Sequence, residues 1–241
     1  MRFLILLLVA SNAIAGTPFG GDDAGFVPPD AATFACESTV EKHFAKLIVG
    51  AGGCHITAAR MGVRGHAFDE EACENGALAR YSRATAGLVG CPSCLDIGKY
   101  AADEVARIDT VISSLVYCDK TSGRPIGDAD DLGYVPADLT TARCQNRTAR
   151  RLGHLAETLV ASCHVRLAAD AFRSGVPDQA AEDACETAAL AKYNAAVATL
   201  AGCPTCLNAT KRASLGTVVV VGENVVVGGA YCASPGGAFL D

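Results

Sequence analysis

"EEACENGALARYSRATAGLVGCPSCL" (residues 70–95) returns as "EDACETAALAKYNAAVATLAGCPTCL" (residues 182–207), without a gap and at an offset of 112. Within it Cys73, Ala77, Tyr81, Ala84, Leu88 and Cys91 step by three or four residues, as do Cys185, Ala189, Tyr193, Ala196, Leu200 and Cys203. That spacing puts them on one face of a helix. Both cysteines of each stretch therefore turn inward with the apolar residues, and "CPSC" or "CPTC" makes the turn that follows. A chain that says this twice contains two copies of one helical unit.

The match extends outward in both directions. Cys36, Cys54, Cys73, Cys91, Cys94 and Cys118 find counterparts in Cys144, Cys163, Cys185, Cys203, Cys206 and Cys232. The offset is 108 at the first pair, 109 at the second, 112 at the next three and 114 at the last. "CHITAAR" pairs with "CHVRLAA". "GDDAGFVPPD" (21–30) pairs with "DADDLGYVPAD" (128–138), and these words open each copy. A repeat of this length reads as tandem domains and not as a short-period solenoid.

Each copy reads as three helices. Asp30 precedes alanine-rich sequence and suits an N-cap. Cys36, Val40, Phe44, Leu47, Ala51, Cys54 and Ala58 make the first apolar stripe, matched by Cys144, Leu152, Leu155, Leu159, Cys163 and Leu167. Asp69 caps the second helix, where Glu70 and Glu71 complement its dipole. Ala101, Val105, Ile108, Ile112 and Leu115 lead a third helix to Cys118. The expected fold class is all-α, two tandem disulfide-stapled three-helix bundles. In the second copy "GTVVVVGENVVVGG" carries β-branched runs around Gly-Glu-Asn, which by propensity makes a short β-hairpin near the C-terminus. The repeat argues for helix there, at least up to Gly222.

The organisation follows: a signal peptide at 1–15, an extended segment at 16–29, repeat one at 30–118, a linker at 119–137, repeat two at 138–232 and a tail at 233–241. Arg2, the apolar run at 3–10 and Ala13-Ile14-Ala15 form the n-region, h-region and cleavage site of an export leader, with Gly16 the first mature residue. The expected location is secreted or periplasmic, with no membrane insertion after cleavage. The turn-rich linker suggests that 16–126 and 127–241 fold independently. A formal net charge of −6 argues against nucleic acid as a partner.

Twelve cysteines in an exported chain are first a disulfide framework. A continuous helix holds Cys36 and Cys54 about 27 Å apart, at ~1.5 Å per residue. Bridged Cα atoms lie within about 7 Å, so no helix bridges its own two cysteines. The expected bonds are Cys36 to the turn holding Cys91 and Cys94, and Cys54 to Cys73. In the second copy they are Cys144 to the turn holding Cys203 and Cys206, and Cys163 to Cys185. The remaining cysteines either pair across the copies or require a bend near residues 50–53.

The chemistry-bearing motifs are weighed against bland readings. Cys-Pro-x-Cys can hold a reactive thiolate at a helix start, but an alanine-rich helix precedes it and no βαβ unit is visible. A structural cross-link is the preferred reading. His55 and His164, each following a cysteine, read as polar groups flanking the core; His43, His66 and His154 lack counterparts. Asp22-Asp23 and Asp130-Asp131 read as solvated linker acids, because the EF-hand spacing is absent. Asn146 and Asn208 begin glycosylation sequons. No phosphate loop, dinucleotide motif or nucleophile elbow is present. No catalytic residue, cofactor site or metal site is assigned.

"GDDAGFVPPD", "CHITAAR", "DEEACE", "GCPSCL" and "VYC" together resemble a group of exported bacterial proteins with cysteine-rich helical repeats. The resemblance covers nearly the whole mature chain and brings no activity with it. The expected role is therefore structural or binding, without catalysis. The rivals are a thiol–disulfide exchange protein using the two turns and a carrier of a small apolar ligand. A protein or an apolar small molecule remains open as partner.

Overall fold

The computed structural model describes residues 22–127 and 131–233. The leader, Asp130 and the tail beyond Ala233 lie outside these. The fold is all-α.

In the first half, α1 (Ala31–Gly62) begins where the Asp30 carboxylate accepts the backbone N–H groups of Ala32 and Thr33, both at 2.9 Å. Asp69 caps α2 (Glu70–Thr85) and Asp96 caps α3 (Ile97–Arg107). A π-helical turn (Ile108–Ile112) carries α3 into the short α4 (Ser113–Val116). In the second half Asp138 caps α5 (Leu139–Thr158), which passes through a π-helical turn (Leu159–His164) into α6 (Val165–Ser174). Asp178 caps α7 (Gln179–Ala198), and Asn208 caps α8 (Ala209–Val226).

The π turn at Leu159–His164 explains one offset in the sequence. Cys54 follows Cys36 by 18 residues, whereas Cys163 follows Cys144 by 19. A π turn takes up one extra residue without breaking the helix. It thereby keeps Cys163 and His164 buried, as Cys54 and His55 are on the uninterrupted α1.

The C-terminal β-branched run is helical, which corrects the expected hairpin. Residues 217–226 belong to α8, and Val227–Gly229 make a 3-10 turn. Packing overrides β-propensity here. Val219 and Val227 enter the core, the Glu223 carboxylate is buried against Arg107, and Asn224 is buried. Gly216 lets α8 approach α7, since a Cβ there would stand 2.7 Å from Leu190 and Tyr193.

The halves interleave. α1 lies along α5, and one apolar core takes Phe44, Leu47 and Ile48 from the first half with Leu152, Leu155 and Leu159 from the second. This differs from the expectation of two self-contained bundles. The linker is also built into the structure. Ile126 N–H donates to the Gly133 carbonyl and Val135 N–H to that of Arg124, and both Ile126 and Val135 are buried.

All twelve cysteines are bonded. Cys36–Cys91 and Cys144–Cys203 tie a helix to the Cys-Pro-x-Cys turn of its own half, and Cys54–Cys73 and Cys163–Cys185 join helical segments within each half, as the spacing predicts. The remaining bonds cross between halves as Cys94–Cys232 and Cys118–Cys206. Cys94 matches Cys206 and Cys118 matches Cys232, so the two crossings are reciprocal. Reciprocal contacts of this kind are what a two-fold relation produces. Neither Cys-Pro-x-Cys turn closes on itself; each sends its two sulfurs to different elements. Six disulfides fit an oxidising environment. Among the described residues no helix is long and apolar enough to cross a membrane.

Candidate metal centres

The Cys54–Cys73 bond clamps α1 to α2, and the residues after these two cysteines are His55 and Glu74. The bond therefore delivers an imidazole to a carboxylate. Glu70 lies one helical turn before Glu74 and shares its face. Asp109 comes from the π turn after α3, and Asp131 from the linker. Around the buried His55 ring, Nε2 lies 3.1 Å from Asp109 Oδ1 and 3.1 Å from Glu74 Oε1. Nδ1 lies 3.1 Å from Asp131 Oδ1 and 3.6 Å from Glu70 Oε1.

The second half repeats the construction. Cys163–Cys185 clamps the π turn to α7, next to His164 and Glu186. His164 Nε2 lies 3.3 Å from Glu186 Oε1 and 3.6 Å from Asp23 Oδ1. Glu182 stands a turn before Glu186, and its nearest donor atoms fall within 4.8 Å of those of Asp23, His164 and Glu186.

The aspartates answer why the acidic pair occurs twice. Asp23 belongs to the first half but serves the second centre; Asp131 opens the second half but serves the first. Each arm is held by matching backbone bonds. Phe26 N–H donates to the Tyr231 carbonyl and Tyr134 N–H to that of Tyr117, both at 2.8 Å. Ala24 N–H donates to the Asn224 carbonyl at 3.1 Å and Leu132 N–H to that of Asp109 at 3.3 Å. Gly127 leaves the room that Asp131 needs: a Cβ on Gly127 would sit 1.7 Å from Asp131 Oδ2.

Two expectations are corrected here. Asp23 and Asp131 are not solvated linker acids; their side chains are 0% and 2% exposed. The arms tuck under the opposite half, which a single-copy reading does not anticipate. His55 and His164 do not flank the core but stand at the centre of acid clusters within it. Asp22 stays exposed, and His154 is an exposed partner of Glu157.

The electrostatics are one-sided. In the first centre four acids face one imidazole. Burial pushes the Glu70 carboxyl up to about 9, and Glu74 is also raised by burial. Burial opposes the charged form of His55, but the facing carboxylates of Asp109, Asp131 and Glu74 outweigh it and lift the ring to about 12. In the second centre burial raises Asp23 to about 6 and Glu182 to about 9. Burial also works on Glu186, but the neighbouring His164, Glu182 and Asn224 outweigh it and hold its carboxyl below the usual range. With Glu70 and Glu182 held protonated at neutral pH, one imidazolium still faces more than one buried acid in either centre, and any remaining excess of negative charge is costly unless compensated.

The lone pairs point the same way. Both carboxylate oxygens of Asp23 and of Glu182 are buried with no hydrogen-bond partner. Asp131 Oδ1, Glu70 Oε1 and Glu74 Oε1 are likewise unpartnered. In the second centre Asp23, Glu182 and Glu186 each bring an oxygen within 4.8 Å of one another and of a His164 nitrogen; in the first, Asp109 with Asp131 and Glu70 with Glu74 make two such sets around His55. One imidazole with several carboxylates suits a first-row divalent ion such as Mn²⁺ or Zn²⁺.

Between the centres, Arg107 joins the halves. Its guanidinium donates to both oxygens of Glu104 at 2.7 Å and to Glu223 at 2.5 Å. A cavity of about 40 Å³ lies beside His55, walled by Ile48, Ile108, Ile112, Leu152 and Val219.

The signals for these centres were present in the sequence. Glu70 and Glu74 match Glu182 and Glu186, His55 matches His164, and Asp23 matches Asp131. His43, His66 and His154 have no such counterparts. What was missed is the acid pair four apart on the clamped helix. No family model, curated protein or solved structure matches this chain.

Proposed function

We propose that the chain is a divalent-cation-binding protein of an oxidising compartment, exported through its 1–15 leader and built by duplication of one helical unit. One observation carries the reading: matching positions of the two halves build two buried clusters, each of one histidine and several carboxylates, with oxygens that have no hydrogen-bond partner. Cations bound in place would neutralise the excess charge and occupy those lone pairs. The disulfides act as the scaffold, holding a histidine helix against an acid helix and each arm against the opposite half.

The test uses the disulfide-intact protein, stripped with chelator and titrated with Mn²⁺, Zn²⁺ or Ca²⁺. Metal retained after gel filtration is counted by elemental analysis, and melting is followed by circular dichroism. The expected result is up to two ions per chain and a higher Tm. A ligand at 100 times its Kd stabilises the native state by about 2.7 kcal/mol. Retention of none of the three ions, with no change in Tm, rejects the proposal.

A further inference from the structure

We infer that the second centre is the tight cation site, because its four donors converge on one point, and that Asn224 is the residue that positions them. This rests on the cation-binding reading above. Asp23, Glu182 and Glu186 each bring a carboxylate oxygen, and His164 a ring nitrogen, within 4.8 Å of one another. All four residues are buried. Both oxygens of Asp23 and both of Glu182 have no hydrogen-bond partner. Among the described residues no four-donor set forms around His55: Asp109 and Asp131 make one set of three with the ring, and Glu70 and Glu74 make another. Those carboxylates lie against both ring nitrogens, Glu74 and Asp109 on Nε2 and Glu70 and Asp131 on Nδ1. One ion at His55 therefore collects two of its four carboxylates, whereas one ion at His164 collects all three of its own. Affinity in carboxylate sites follows ligand charge count and site rigidity and spans decades.

Asn224 acts twice on this set. Its backbone carbonyl accepts the N–H of Ala24 at 3.1 Å, beside Asp23 in the arm. Its amide Nδ2 donates to Glu186 Oε2 at 3.2 Å, and Glu186 Oε1 stands 3.3 Å from His164 Nε2. The amide thus fixes one oxygen of Glu186 so that the other faces the ring. Nδ2 also donates to Asp22 Oδ2 at 3.2 Å. In the first centre the carbonyl of Asp109 accepts Leu132 N–H in the same way. The Asp109 side chain, however, goes to His55 itself, with Oδ1 3.1 Å from Nε2, and has no amide to hold a neighbouring acid. Hydrogen bonds that orient a ligating carboxylate from outside the ligand set typically carry about 10–100-fold of metal affinity. Asp22 and Asp183 bring oxygens within 4.8 Å of one from Glu182 at the exposed rim, which gives a cation an approach from solvent.

The experiment is calorimetric titration of the full disulfide-bonded chain with Mn²⁺ and, separately, Zn²⁺. Two steps are expected, their constants at least about tenfold apart. His164→Ala should remove the tight step and His55→Ala the weak one. Asn224→Leu should weaken the His164-dependent step by about 10–100-fold and leave the His55-dependent step unchanged. Asn224→Asp keeps the shape without the donor and should weaken the same step, which keeps the positioning role testable if Asn224→Leu fails to fold. At saturating Mn²⁺ the electron paramagnetic resonance spectrum of the second centre should change in either variant, a signature that lost stability alone does not produce. Two steps of equal Kd in the parent, or a tight step lost with His55→Ala and not with His164→Ala, overturns the inference and leaves cation binding intact. Asn224 variants that fold and keep the parent's constants and spectrum, or an Asn224→Asp that binds more tightly, overturn the positioning role. No binding of either ion removes the underlying reading and the inference with it.

Discussion

Opening the Cys94–Cys232 bond should destabilise the chain by about 4 kcal/mol and loosen the second centre before the first. The bond closes 138 residues of sequence. With the other crossing Cys118–Cys206 intact, however, the loop it closes is shorter. Cys118 follows Cys94 by 24 residues and Cys232 follows Cys206 by 26, so the closed loop is about 50 residues. Loop-closure entropy for that length gives about 4 kcal/mol at room temperature. The local effect follows from the neighbouring residue. Tyr231 precedes Cys232, and its carbonyl holds Phe26, in the arm that carries Asp23. The assay is urea unfolding of Cys94→Ala/Cys232→Ala, with metal affinity measured in parallel. The midpoint should fall and the m-value should rise, since the unfolded chain is less constrained. A loss below about 1 kcal/mol would refute the reasoning, because about 2–5 kcal/mol is the usual cost of losing a native bridge. Equal weakening of both centres would refute the local part.

Three further outcomes follow from other parts of the structure. Gly127→Ala should push Asp131 out of the first centre and weaken metal binding there without removing a ligand; an unchanged binding isotherm would contradict the crowding at Oδ2. Arg107→Met should cost about 3–5 kcal/mol, because it strands the Glu104 and Glu223 carboxylates; Arg107→Met/Glu104→Gln/Glu223→Gln should recover much of that, and chemical unfolding of both variants decides. Burial raises Glu41 to about 8 although the Tyr100 hydroxyl donates to it. The folded chain thus holds this proton more tightly than the unfolded one, so the contribution is full below the ordinary carboxylate range and is lost as pH rises to about 8. Glu41→Gln should flatten that part of the stability–pH curve in chelator, and an unaltered slope would count against it.

The helices were legible because their cause is local. Asp30, Asp69 and Asp138 are caps, and the cysteine-anchored stripes have helical spacing whatever lies beyond them. The within-half disulfides were legible for the same reason, since helix length forbids the alternatives. The crossings Cys94–Cys232 and Cys118–Cys206 were narrowed to a choice and no further, because sequence spacing carries no information about how two units dock. α8 was half legible: its β-branched run speaks for strand, and only burial of Val219, Glu223 and Asn224 against the first half makes it helix. The centres were hidden by the exchange of arms. Asp131 looks like a linker acid until the linker is folded back on His55, and Glu70 looks like a dipole partner until Cys54–Cys73 turns it inward. The duplicated histidine, acid pair and aspartate were visible all along as positions that survive in both halves, whereas surface residues such as His43 and His154 do not.

The most direct measurement is anomalous diffraction from crystals of the disulfide-bonded chain grown with Mn²⁺ or Zn²⁺, collected at the metal edge. The account predicts a peak beside His55, shared either with Asp109 and Asp131 or with Glu70 and Glu74, about 2.0–2.2 Å from a ring nitrogen and carboxylate oxygens when the ion is zinc. A second peak should lie among His164, Glu182, Glu186 and Asp23. Density showing the His55 ring bonded directly to its carboxylates with no anomalous signal at either centre, in crystals that contain the metal in excess, would contradict it.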